Sequence, residues 1–244
     1  MRLPKHTTLK AALLTLAAAA SLGAHAATVQ DEAIAFATNN PMSLTVQGDD
    51  IAVNLTTNTA LQPGAHVEQK SDKPCPVSLT TANNNGNETL TIKRVDNTQP
   101  CTAVVAVNLP EKSTLGVRQK TPLIYANGNF GKITTDSEHL TFTLQGRVDS
   151  LELNAAGAVT SSIHVQQLPI SLISIRARHM ATPPQPKSPP PDEPTSISLP
   201  KGATAAYEIN APFKVFEKGV PSANPGDTTI RLQGDTVVGS ASNE

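Results

Sequence analysis

Apolar residues along this chain come in short pulses, and alternation inside each pulse has the two-residue period of a β-strand. Strand-like runs rich in Val, Ile, Leu and Thr fall at 43–46, 51–55, 77–80, 89–95 and 103–109. They continue at 123–125, 132–135, 140–144, 150–153 and 158–163, and then at 197–199, 205–209, 213–216, 228–232 and 236–238. Gly, Asn, Asp and Pro separate them, as turns require. No segment after the N-terminal leader shows a convincing helical period with caps. The stretch 28–38 comes nearest, and it reads equally well as a frayed N-terminal arm.

Between 123 and 163 the pulses tighten, with Gly128, Gly131, Gly146 and Gly157 between them. Such spacing is what a β-helix or β-roll needs: each strand buries one face inside the coil, and small or polar residues make the corners. The expected fold is therefore all-β, a β-helix or β-roll-like solenoid of short strands with an N-terminal antiparallel hairpin region. The hairpin is read from the runs 77–80 and 89–95 flanking the turn ANNNGN at 82–87. A repeat supports the solenoid. VNLPEKSTLGVRQKTPLIY at 107–125 aligns without a gap to ISLPKGATAAYEINAPFKV at 197–215. The tripeptides Val46-Gln47-Gly48, Leu144-Gln145-Gly146 and Leu232-Gln233-Gly234 each end a strand on glycine. The two long copies read as similar strands bracketing one continuous solenoid. The tract TPPQPKSPPPDEP at 182–194 cannot supply ladder N–H donors and favours polyproline II. Because a strand resumes directly after it, an extruded loop is preferred over a domain linker.

The N-terminus changes the picture of where the chain works. Arg2, Lys5 and Lys10 precede an apolar run at 11–22, and Ala24-His25-Ala26 fits a small-x-small cleavage pattern. The run of twelve residues is short of the roughly 20 needed to span a bilayer. The reading is a signal peptide at 1–26, an N-terminal arm at 27–42, and a single elongated β domain at 43–244 with the Pro-rich loop at 182–194. Cleavage near Ala26 would leave a periplasmic, secreted or cell-surface protein with no membrane span in the mature chain. It would remove three basic and no acidic residues, taking the formal charge from −1 to −4. A mildly acidic chain without basic clusters is a poor partner for nucleic acid. Cys75 and Cys101, an even pair in an exported chain, are expected to form a disulfide. Closing that loop stabilises by about 3–4 kcal/mol in the chain-entropy model.

Three segments carry a family resemblance: VNLP at 107–110, the Gly-punctuated stretch at 124–159, and ISLPKGATAAYEI at 197–209. A strand ending in Leu-Pro, a run of short repeats and a second such strand resemble the bacterial "putative adhesin" domains of unknown function. The resemblance spans roughly 43–238 and implies a β-helical or β-roll fold with an extracytoplasmic role. The Pro-rich insertion and the Cys75/Cys101 pair depart from the family pattern.

Catalytic chemistry is hard to find. His66, His139, His164 and His179 form no metal-binding spacing. Asp136, Glu138 and His139 make a small polar cluster, expected to be a solvated corner rather than a proton-transfer or cation site. Asp49, Asp50 and Asp235 follow Gln-Gly turns and read as turn residues, since calcium needs six to eight oxygens. No nucleophile elbow or phosphate loop is present, so no catalytic, metal or cofactor site is expected. The absence of Trp, with only two Tyr, also removes the usual sugar platforms. The expected function is non-enzymatic interaction at the envelope or cell surface, with an envelope or extracellular protein or a glycan as partner. Two alternatives remain: a glycan-acting enzyme on a β-helix, and a periplasmic accessory protein that binds another exported protein by strand addition.

Overall fold

The structure is a computed structural model. It describes residues 25–28, 33–36, 39–49, 51–68, 75–84, 87–95, 101–180, 195–222 and 228–243. The expected signal segment up to residue 24, Asp50 and the proline tract lie outside the described residues. Among the described residues there is no helix. In chain order the strands are β1 (His25–Thr28), β2 (Ala33–Ala35), β3 (Ser43–Gln47), β4 (Ile51–Thr56), β5 (Gly64–Glu68) and β6 (Val77–Asn84). Next come β7 (Asn87–Arg94), β8 (Ala103–Asn108), β9 (Thr114–Arg118), β10 (Leu123–Ser137), β11 (Leu140–Val165) and β12 (Leu172–Met180). The last are β13 (Thr195–Leu199), β14 (Ala205–Asn210), β15 (Phe213–Lys218), β16 (Thr228–Gln233) and β17 (Thr236–Asn243).

These strands stack into an all-β solenoid with two parallel walls. The first wall runs β14, β16, β12, the 150–155 part of β11, the 132–137 part of β10, β9, β3 and β7, all in parallel. The antiparallel β6 and β1 close its other end. The second wall runs β15, β17, β13 and the 161–164 part of β11. It continues with the first part of β11, that of β10, then β4 and β8. The antiparallel β5 and β2 finish it. The long strands β10 and β11 cross between walls at Gly128 and Gly146, which lie in register and have φ of 139° and 135°. A Cβ on Gly146 would run into the carbonyl of Gly128, so the stacked bend needs glycine at that position.

Alternation sends one face of every strand inward. Leu44, Leu115, Ile133, Leu151, Ile173 and Ile230 form one buried row in register across the first wall. Facing rows from the second wall include Val53, Ile124 and Phe142. Aliphatic stacking therefore replaces the aromatic core that the composition lacks, each fully buried side chain contributing about 1.5–3 kcal/mol.

The expected hairpin is β6–β7, paired antiparallel throughout. Cys75 and Cys101 are joined in a disulfide with their Cα atoms 5.5 Å apart, beside the hairpin's open end. Of the helix candidate at 28–38, residues 33–35 are instead the edge strand β2, drawn onto the backbone of β5. Strand order also departs from chain order at both ends. β3 and β4 sit inside β7 and β8, and β16–β17 sit inside β14–β15. Around the proline tract, residues 179–180 pair with 236–237 of β17, and β13 pairs with 240–243 of the same strand.

Candidate binding groove on the first wall

Outward side chains of the first wall also line up in rows, because parallel strands in register stack equivalent positions one above another. One row reads Gln47, Arg118, Asp136, Asn154, Arg176 and Gln233 on successive strands. Every member carries a planar amide, carboxylate or guanidinium. The neighbouring row contains Thr45, Gly116, Thr134 and Glu152. An open groove of about 740 Å³ is lined by members of both rows, Gly116 and Thr134 of one and Arg118, Asp136, Asn154 and Arg176 of the other, while Glu152 lies outside this lining and pairs with Lys132 at 2.7 Å. Arg118 Nε stands 3.9 Å from Asp136 Oδ2, and both side chains are well exposed. Thr134, which also lines the groove, donates its hydroxyl to the Leu115 carbonyl at 3.2 Å.

Gly116 is the unusual residue here. It sits in the middle of β9, where glycine weakens a strand. A Cβ there would meet Thr134 Oγ1 at 3.8 Å and the Leu44 carbonyl oxygen at 4.0 Å, both ordinary contacts. Every other glycine among the described residues has a positive φ or would bring its Cβ within 3 Å of a neighbour. The fold does not require glycine at 116.

The polar cluster expected at 136–139 is divided by the strand geometry. Asp136 faces the groove, whereas His139 turns at the corner and its Nδ1 accepts from the Ala158 N–H at 3.2 Å. Glu138 presents its carbonyl to Gly157 N–H at 2.7 Å. A recess of about 330 Å³ joins the groove at this corner. Beside it Gln119 is 5% exposed, with neither amide atom partnered. Asp49 accepts from Lys120 N–H at 3.1 Å, and Asp235 pairs with Arg178 at 3.3 Å, so both serve corners. His66 lies 3.5 Å from Glu68 on β5, and His179 pairs with β17 on the second wall. Among the described residues no three His, Cys, Asp or Glu side chains converge as a metal site.

Sequence reasoning missed the groove. Arg118 and Arg176 are distant along the chain, and only strand stacking brings them into one row. The available signal was Gly116 itself, a lone glycine between the apolar residues Leu115 and Val117.

The second wall carries a different surface. Leu123 and Tyr125 on β10, and Phe213 and Val215 on β15, are among its exposed large apolar residues. These two pairs occupy equivalent places in the ninety-residue repeat. A second groove of about 540 Å³ lies on this wall, between β2 and the outer face of β5, β8 and β4.

No protein-family model matches the chain, and no curated protein matches it. Among solved structures it is similar to a "putative cell adhesion protein" from Clostridium sporogenes ATCC 15579. The identity is 10% and the TM-score 0.36, covering 88% of this chain and 97% of that one. It is also similar to a "putative adhesin" from Bacteroides fragilis NCTC 9343, with 11% identity and a TM-score of 0.33 over 88% of this chain and 97% of that one.

Proposed function

We propose that this chain is an exported, non-enzymatic β-solenoid that serves as an adhesin-like interaction surface in the cell envelope or at the cell exterior. The observation that carries the reading is the open polar groove of the first wall, built from rigid stacked strands. The Cys75–Cys101 disulfide supports an oxidising location, as does the leader-like N-terminus. A glycoside hydrolase needs two carboxyl groups about 5–9.5 Å apart flanking its bond. This groove itself is lined by one, Asp136, which faces Arg118, and of the two further carboxylates in the adjoining recess, Asp49 is held by Lys120. Binding without bond cleavage is the chemistry such a surface supports. Residues 43–244 act as one elongated domain in this reading. The chain pairs with the same strand, β17, on either side of the tract at 182–194, which supports reading that tract as a loop rather than a domain linker.

The test is retention of envelope or extracellular material by the immobilised mature chain, 27–244, compared with an Arg118→Ala/Arg176→Ala variant. Specific retention that falls at least tenfold in the variant is expected. Equal retention by both would remove the groove from the function, and glycan degradation by the pure protein would replace binding with catalysis.

Strand addition is the second reading. Among the described residues, β15 bonds only to β17, and β14 bonds to β16 with a single further bridge to Ser222. Those edges offer backbone groups to an incoming strand.

A further inference from the structure

We infer that the groove over Gly116 holds a linear acidic polysaccharide running across the strands; this rests on the interaction-surface reading above. Three observations converge on that ligand. The first is Gly116, whose missing side chain the fold does not demand. A mid-strand glycine without a packing reason marks a place where a ligand approaches the backbone closely. The second is periodicity. Arg118, Asp136, Asn154 and Arg176 present planar hydrogen-bonding groups on successive strands. Strands stand about 4.8 Å apart, so the two arginines are separated by roughly 14 Å. An extended pyranose chain advances by close to one strand spacing per sugar, so each ring meets one side chain of the row. The third is charge. The groove is lined by two guanidinium groups and one carboxylate, on a chain whose net charge is −1. Guanidinium forks suit carboxylate or sulfate groups, while Asp136 and Asn154 accept hydrogen bonds from neutral hydroxyls between them.

The contacts offered also favour a glycan over a peptide. The groove crosses the strands, whose backbone groups are already used in the ladders on either side. A peptide would find side-chain partners for only part of its own backbone. With no aromatic platform in the groove, affinity rests on charge-assisted hydrogen bonds and falls steeply with added salt.

The experiment measures binding of the mature chain to uronate oligomers (polygalacturonate, hyaluronan and chondroitin sulfate). Neutral dextran and poly-glutamate serve as the other arms. The wild type is expected to bind at least one acidic glycan, at least tenfold more tightly than dextran or poly-glutamate. Gly116→Thr, which extends the threonine row, is expected to weaken that binding at least tenfold while its melting temperature stays the same or rises. Lys201→Ala, on a distant exposed turn, keeps full binding. Failure to bind any acidic glycan, or unchanged binding by Gly116→Thr, overturns the inference. Preferential binding of poly-glutamate makes the groove a peptide site and overturns it too. Retention of envelope material that Arg118→Ala/Arg176→Ala weakens but Gly116→Thr leaves intact keeps the general interaction reading and removes only the ligand proposed.

Discussion

The two copies of the ninety-residue repeat follow one path and meet different fates. In the first, Pro110–Ser113 turns with Lys112 at φ 64°, closed by a Ser113 N–H to Pro110 carbonyl bond of 3.3 Å. In the second, Pro200–Ala203 turns with Gly202 at φ 83°, closed by the equivalent bond of 3.0 Å. Lysine is tolerated in this left-handed position where its ammonium reaches Asp149 at 2.6 Å. Beyond the turns the copies diverge. β9 has strands on both sides and buries Leu115 and Val117. β14 is an outer strand, and its Tyr207 and Ile209 are only partly buried. Tyr207 extends the Leu115 row, although Ala205 is its partner by sequence alignment. In β10 Ile124 is fully buried, whereas its counterpart Lys214 is exposed. Local sequence sets the turn and the strand path, and position along the stack sets how much each side chain loses from water. The exposed end is closed by an edge-to-face contact between Tyr207 and Phe216, 6.3 Å between centroids, with Lys218 Nζ 5.2 Å from the Tyr207 ring.

That contrast can be broken most severely by deleting 228–244. Without β16 and β17, the outer strands β14 and β15 lose their ladders and the inner coil at β12–β13 loses its cover. We expect loss of the cooperative thermal transition and strong binding of a hydrophobic dye; a sharp transition near the wild-type temperature would contradict the topology. A gentler comparison sets Leu115→Ala against Ile209→Ala in denaturant titrations. The interior change should cost about 2–5 kcal/mol, because it leaves a cavity. The terminal one should cost about 1 kcal/mol, since water reaches the vacated space. Equal costs would mean the end is covered in solution. The smallest effect concerns Tyr207, whose phenol is pushed above its usual pKa by burial. A raised folded-state pKa adds stability that is complete below the unfolded value of about 10 and lost as pH rises through the folded value. Melting temperatures taken between about pH 8 and 12 should therefore fall less for Tyr207→Phe than for the wild type. Parallel curves would show that the end plug does not feel the ionisation.

Much of this architecture is legible in the sequence. Alternation in runs such as 43–46 and 150–153 places the strands and their inward faces, and the glycines that follow Gln47, Gln145 and Gln233 mark a turn or crossing. Coil order is not legible, because each inward row accepts any aliphatic residue. Nothing in Leu44 or Ile230 states which strand lies beside it, so the exchange of β3–β4 with β7–β8 stays hidden. The short pulses at 123–163 also conceal that β10 and β11 continue through their glycine bends. The groove is invisible for a related reason: an exposed arginine is unremarkable until stacking sets it in a row.

The inner placement of β17 also bears on mechanics. Along its length it is bonded to β15 on one side and to β12 and β13 on the other. A pull transmitted through it loads both ladders together in shear, whereas an outermost strand could be peeled away one bond at a time. A strand held on both flanks therefore resists a pull along its axis better than either edge strand, β14 or β15, would.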